Sequence, residues 1–177
     1  MNKIVKLAAI LFAVSAIVAL CLGLVNSVTA DRIAAIAKEK LDNAMMEVLP
    51  ADSYNELEYK GDDFQVDSIY EAAGKGWVVQ CTVSGSQGSI TMLTGVATDG
   101  TVTGISILKH AETPGLGAIA GAASNVGIEW RSQFQNIPSA AVTKDGGSVE
   151  ALTGATVTSR AVCSGVNAAL EAVKTVG

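Results

Sequence analysis

The pattern along the chain begins with an unbroken apolar run. Between Lys6 and Asp31 there is no charged side chain, and residues 7–25 are almost wholly Leu, Ala, Ile and Val. At about 1.5 Å per helical residue this run crosses a hydrocarbon core of about 30 Å. A cleaved secretory signal has an apolar core of only about 7–15 residues. The segment therefore reads as a retained transmembrane anchor, although Val28-Thr29-Ala30 offers small residues where a signal would be cut. Behind it, Ile33, Ile36, Ala37, Lys40, Leu41, Ala44 and Met45 recur at helical spacing until Pro50, which predicts an amphipathic helix continuing from the anchor. It would pack on its own domain or on a neighbouring protein.

The period then shortens. Residues 54–60, 64–70 and 77–83 are brief runs with Gly or Asp between them, and residues 89–98 and 101–108 alternate around Asp99-Gly100, which predicts a β-hairpin with a tight turn. From Thr158 onward the helical period returns, with Val162, Val166, Ala169, Leu170 and Val173 on one face. These elements give an α+β class: one N-terminal transmembrane helix, then an antiparallel sheet packed against helices. The expected divisions are residues 1–30 for the N-terminal tip and anchor, 31–50 for the connecting helix, and 51–177 for one extracytoplasmic domain.

Composition sharpens this picture. The 177 residues are 49% hydrophobic and 16% charged, with a net charge of −5, too apolar for an ordinary soluble domain; the excess lies in the anchor. Lys3, Lys6 and the amino terminus on one side, against Asp31 and Arg32 on the other, predict a cytoplasmic N-terminus in the cell membrane. An acidic chain gives no reason to expect nucleic acid. Cys21, Cys81 and Cys163 form no Cys-x-x-Cys pair and there is one His, which argues against an iron–sulfur or other metal site. A disulfide between Cys81 and Cys163 stays open. His110 stands beside a Gly-rich loop, and as a lone His it reads as structural or solvated rather than as a proton donor.

Two segments carry candidate chemistry. Thr153-Gly154-Ala155-Thr156 opens the C-terminal helix, where a small-residue turn, hydroxyls and the helix dipole suit a phosphate, with Arg160 adding a cation. The plainer reading is that Thr156, Thr158 and Ser159 only cap that helix. Glu112-Thr113-Pro114-Gly115-Leu116-Gly117 is a shaped loop, its Pro fixing one angle and its glycines admitting positive φ and close approach of the backbone. By itself it is also an ordinary turn.

ALTGATVTSRAV resembles the flavinylation motif of the FMN-binding domain family: an acidic residue, two spacers, Ser or Thr, Gly, Ala, then the acceptor. Glu150, Thr153, Gly154, Ala155 and Thr156 fill those positions, with Glu150 where the family usually has Asp. SQGSITMLTGVATDGTVTGISILKHAETPGLG resembles a second block of the same family, and AMMEVLP and GWVVQCTV extend the likeness. It is weakest between Ala118 and Val149, where Trp130 and Phe134 match loosely. Within the family the chain is similar to the G subunits of Rnf complexes, ion-translocating ferredoxin:NAD+ oxidoreductases, and more distantly to the NqrC component of the sodium-pumping NADH:quinone oxidoreductase.

The resemblance implies an electron-transfer subunit with FMN joined by a phosphoester to Thr156. It places Glu112, Thr113, Gly115, Leu116, Gly117, Leu152, Thr153, Gly154, Ala155, Thr158 and Arg160 around the cofactor, Glu112 and Thr113 as polar partners and Leu116 as an apolar wall. No complete active site is implied in this chain alone. The implied partners are membrane and peripheral Rnf subunits carrying flavin and iron–sulfur centres, a flavin transferase that uses FAD, and the lipid bilayer. The rival readings are a flavinylated subunit of the related quinone reductase, and an anchored extracytoplasmic binding or scaffold domain without a redox role.

Overall fold

The computed structural model describes residues 3–59, 61 and 63–176. A first helix, α1 (Lys3–Val48), leads into a five-stranded antiparallel meander, β1 (Tyr54–Leu57), β2 (Val66–Ala72), β3 (Gly76–Ser84), β4 (Ser89–Ala97) and β5 (Val102–Lys109), whose spatial order equals its chain order. Two helices follow, α2 (Asn125–Ser132) and α3 (Thr156–Val176), with 3₁₀ turns at Gly117–Gly121 and Thr143–Asp145. This is the α+β arrangement that the pattern predicts.

Anchor and connecting segment form one continuous helix of 46 residues. Its apolar part is long enough to cross a membrane by length and composition. The chain separates into two compact units after Lys40. Within the second, the last turns of α1 seat Ala44, Met45 and Val48 against Val78 and Leu93 on one face of the sheet. Gly95, which pairs across strands with Gly104, permits this closeness, since a Cβ on it would lie 2.7 Å from the Val48 carbonyl oxygen. The Thr103 hydroxyl donates to that oxygen at 2.5 Å, satisfying one of the carbonyls a helix end leaves orphaned. Beyond Pro50, Tyr54 closes the corner by donating to the Leu49 carbonyl at 2.7 Å.

The opposite face carries the main core. Val79, Cys81 and Val83 of β3 and Ile90 and Met92 of β4 join Val162, Val166, Ala169, Leu170 and Val173 of α3, all buried. The alternation of the strands and the stripe of the helix are thus two sides of one interface. At Asp99-Gly100 the predicted turn is present, with Gly100 at φ +82° and its amide donating to the Ala97 carbonyl at 2.9 Å.

Three boundaries differ from the pattern. β1 ends at Leu57, and Lys60 of the expected run lies outside the described residues. β2 starts at Val66 because Asp63 holds a turn, its carboxylate accepting from the Gln65 amide at 2.9 Å and its carbonyl from the Val66 amide at 3.2 Å, which leaves Phe64 exposed. Helix α3 begins at Thr156, two residues earlier than the apolar stripe.

Cys81 and Cys163 are both buried and free, so the open disulfide is not made. Burial, reinforced by the negative charges of Asp67 and Asp63, pushes the Cys81 thiol up to about 12. Burial and Asp145 push Cys163 up to about 11. Neither forms the reactive thiolate at neutral pH. Iodoacetamide at pH 7.5 should therefore leave both unmodified in the folded chain and alkylate both after denaturation. Rapid labelling of either in the folded chain, read by mass spectrometry, would contradict this burial.

Candidate functional site

The Thr153–Thr156 turn is built from small residues for a steric reason. Gly154 sits at φ +73°, where a side chain is strained, and a Cβ there would approach Leu116 Cδ2 to 3.0 Å. The motif turn and the Gly-rich loop therefore lie against one another. Ala155 closes the turn by donating its amide to the Leu152 carbonyl at 2.9 Å, and the first helical bond runs from the Ser159 amide to the Ala155 carbonyl at 3.0 Å. Thr156 is the first residue of α3, where unconsumed amides and the helix dipole favour negative charge.

Two hollows flank this turn. A cleft of about 680 Å³ is lined by Gly115, Leu116 and Ile119 from the loop, Val126, Glu129, Trp130, Ser132 and Gln133 from α2 and its end, and Glu150, Ala151, Leu152 and Thr153. A second hollow of about 320 Å³ is lined by Thr143, Lys144, Glu150 to Gly154, and Thr156. The segment from Glu150 to Thr153 is the wall they share. The larger cleft falls in the range of about 300–1,000 Å³ usual for small-molecule sites. Its mixture of apolar wall and polar rim suits a flat heteroaromatic ring, and the smaller hollow, with a Thr hydroxyl and a Lys at a helix start, suits a phosphate. The residues present fit FMN.

Comparison with known proteins agrees. Residues 85–171 match the FMN-binding domain family, a span that contains every residue lining the two hollows. The G subunit of the ion-translocating oxidoreductase complex of Methanosarcina acetivorans is 32% identical, covering 97% of this chain and 95% of that protein. The G subunit of the Na+-translocating ferredoxin:NAD+ oxidoreductase complex of Acetobacterium woodii is 36% identical, over 94% and 89%. The proton-translocating counterpart of Clostridium ljungdahlii is 38% identical, over 81% and 77%. This chain belongs to that family of G subunits.

Within that family frame, the structure sorts the sequence-predicted residues. Gly115, Leu116, Leu152, Thr153, Gly154 and Thr156 line the hollows, Ala155 closes their turn, and Thr113 is exposed on the loop. Glu112, Gly117, Thr158 and Arg160 do not line either. Glu112, only 6% exposed, accepts from the amides of Ser86 at 2.9 Å and Gln87 at 3.0 Å and from the Thr158 hydroxyl. It ties the end of β5, the β3–β4 turn and α3 together. Burial pushes its carboxyl up, but the Gln87 amide, the Thr158 hydroxyl, the Ser86 amide and the charge of His110 outweigh that and hold it below the ordinary carboxylate value. Gly117 packs so closely on this pair that a Cβ would collide with both. Arg160 is engaged elsewhere, donating to both Asp145 oxygens at 2.7 and 2.6 Å. Among the described residues, the cation lining the Thr156 hollow is Lys144. His110 lines neither hollow.

Sequence reasoning missed Lys144 and Gln133, and left Trp130 as a loose family match and Ser159 as a helix cap. The Ser159 hydroxyl accepts from the Leu152 amide and donates to the Ala155 carbonyl, both at 3.0 Å. The available signal was general: an irregular buried segment must find partners for its amides. Which partners these are depends on tertiary contacts.

Proposed function

We propose that this chain is the flavin-bearing, electron-carrying subunit of a membrane-bound ion-translocating ferredoxin:NAD+ oxidoreductase, with FMN held by a phosphoester to Thr156. The observation that carries the reading is the position of Thr156: it opens α3 at a phosphate-sized hollow that shares a wall with a ring-sized cleft. The relatives' names support the complex, and the matched domain supports FMN.

Each part of the site then has a task. Thr156 supplies the attachment oxygen, the first turn of α3 and Lys144 receive the phosphate charge, and Leu116 and Ile119 exclude water from the ring. Bound FMN supplies uptake and release of electrons singly or in pairs. Thr156 is a modification site and not a nucleophile of turnover.

A cytoplasmic N-terminus puts the domain from residue 51 onward outside the cytoplasm, where no FMN pool replaces a lost cofactor; a covalent tether answers that loss. Attachment falls to a flavin transferase using FAD. Neighbouring subunits with flavin and iron–sulfur centres give and take the electrons, and ferredoxin and NAD+ react on them. The anchor has no charged group between Lys6 and Asp31, so ion passage belongs to those subunits.

The test is spectroscopic, on the assembled complex captured through this chain. Reduced ferredoxin should bleach the flavin absorbance that depends on Thr156, and NAD+ should restore it. A flavin that stays oxidised throughout turnover would remove this chain from the electron path.

A further inference from the structure

The six residues before the acceptor, Glu150 to Ala155, belong to no helix or strand, yet they are tied down at both ends. The far end is held by Ser159 from within α3. The near end is held by side chains of a different element. Gln133, which caps α2, accepts the Glu150 amide on Oε1 at 2.7 Å. Trp130, on α2 itself, donates from Nε1 to the Glu150 carbonyl at 2.8 Å. Both main-chain polar groups of one residue are thus taken by α2. The indole is 4% exposed and meets the Phe134 ring edge-on, centroids 5.1 Å apart at 74°. Its donor is therefore fixed. Glu150 itself is exposed and is among the residues that line both hollows.

We infer that Trp130 and Gln133 are positioning residues for flavin transfer to Thr156: by fixing the Glu150 backbone they present the Glu150 carboxylate and the Thr156 hydroxyl to the FAD-loaded transferase in one geometry. The inference rests on the reading of Thr156 as the acceptor.

The step it serves is a balanced group transfer. The Thr156 oxygen bonds to the phosphorus on the FMN side of FAD, the phosphoanhydride P–O bond breaks, AMP leaves, and the hydroxyl proton is released to solvent. No electrons change hands. Releasing both bonds frees Glu150 and Ala151, because Val149 stays held by main-chain bonds to Ala141 and Thr143 and Leu152 by Ser159, so the Glu150 side chain loses its fixed position while Thr156 keeps its own. Misplacement by about 1 Å costs a transfer reaction up to roughly a hundredfold.

The experiment uses full-length chain in detergent, purified from cells lacking the transferase and then incubated with transferase and FAD. Adduct formation is followed by intact mass. Trp130→Phe keeps the aromatic packing and deletes the donor; Gln133→Met keeps the volume and deletes the acceptor; Gln133→Glu keeps an acceptor oxygen. The doubly substituted W130F/Q133M chain should lose about tenfold or more in the transferase's kcat, with KM for the chain little changed, in line with the cost of misplacement. Q133E should stay within about threefold of the parent rate on the same argument. Parent-like kcat in the double variant, with Q133E no faster than Q133M, overturns the inference. So does a loss that follows melting temperature instead of the hydrogen bonds. If the double variant does not fold, the single variants decide by the same contrast. A parent chain that takes up no flavin at all overturns the reading of Thr156 itself, a different outcome from parent chain modified and variants modified equally well.

Discussion

If Thr156 carries the flavin as proposed, replacing it by Val should remove the covalent flavin completely and leave the fold intact. The side chain is half-buried at the first turn of α3, and Val has nearly the same shape, so the helix and its stripe against β3 and β4 are kept. What disappears is the one oxygen at that position that can form the ester. Thr158 and Ser159 do not substitute, because their hydroxyls are buried and bonded within the chain. After denaturing electrophoresis the parent should give a band fluorescent under ultraviolet light and T156V none, with matching circular dichroism and melting. The same contrast separates the electron carrier from a scaffold domain, which would be colourless in both forms. Flavin surviving denaturation in T156V would place the attachment elsewhere.

The second large effect concerns Glu112. Its ionised carboxylate accepts three hydrogen bonds and joins three segments of the domain. Bonds to charged groups are worth about 1.5–3 kcal/mol each, but Ser86 and Gln87 are exposed residues whose amides recover water, so Glu112→Ala should cost about 3 kcal/mol in net. For a domain of this size that corresponds to a drop of roughly 10 °C in melting temperature.

The loss also carries a pH signature with a definite sign. The folded carboxyl lies below its ordinary value, so its stabilisation is complete above the unfolded value of about 4.3 and disappears as pH falls through the lower folded value. The melting gap between parent and Glu112→Gln should be constant from pH 6 to 8 and narrow only in the acid region below that unfolded value. A gap that does not change with acidification would show that the carboxylate charge does not matter.

Much of this architecture is legible in the chain because it rests on local periodicity. The anchor, the strands around Asp99-Gly100, and the α3 stripe through Val162, Val166 and Val173 each declare themselves within a few residues. Helix α2 does not. It is eight residues long and buries only Gly127 and Trp130, too little to show a period. Thr156 and its turn are legible as a motif, and so is the proximity of the Gly-rich loop. The roles of charged residues are not. Glu112 lies 46 positions from Thr158, and Arg160 finds Asp145 on a 3₁₀ turn that no pattern marks. Glu112 is fastened to Ser86, Gln87 and Thr158, and Arg160 to Asp145, partners that only tertiary packing brings together.

The central claim is a bond, and intact mass followed by peptide mapping addresses it most directly. The full chain, purified from membranes of cells that possess the flavin transferase, should exceed its sequence mass by FMN less one water, with the increment on the peptide containing Thr156. A chain at its bare sequence mass from those same cells would contradict the account.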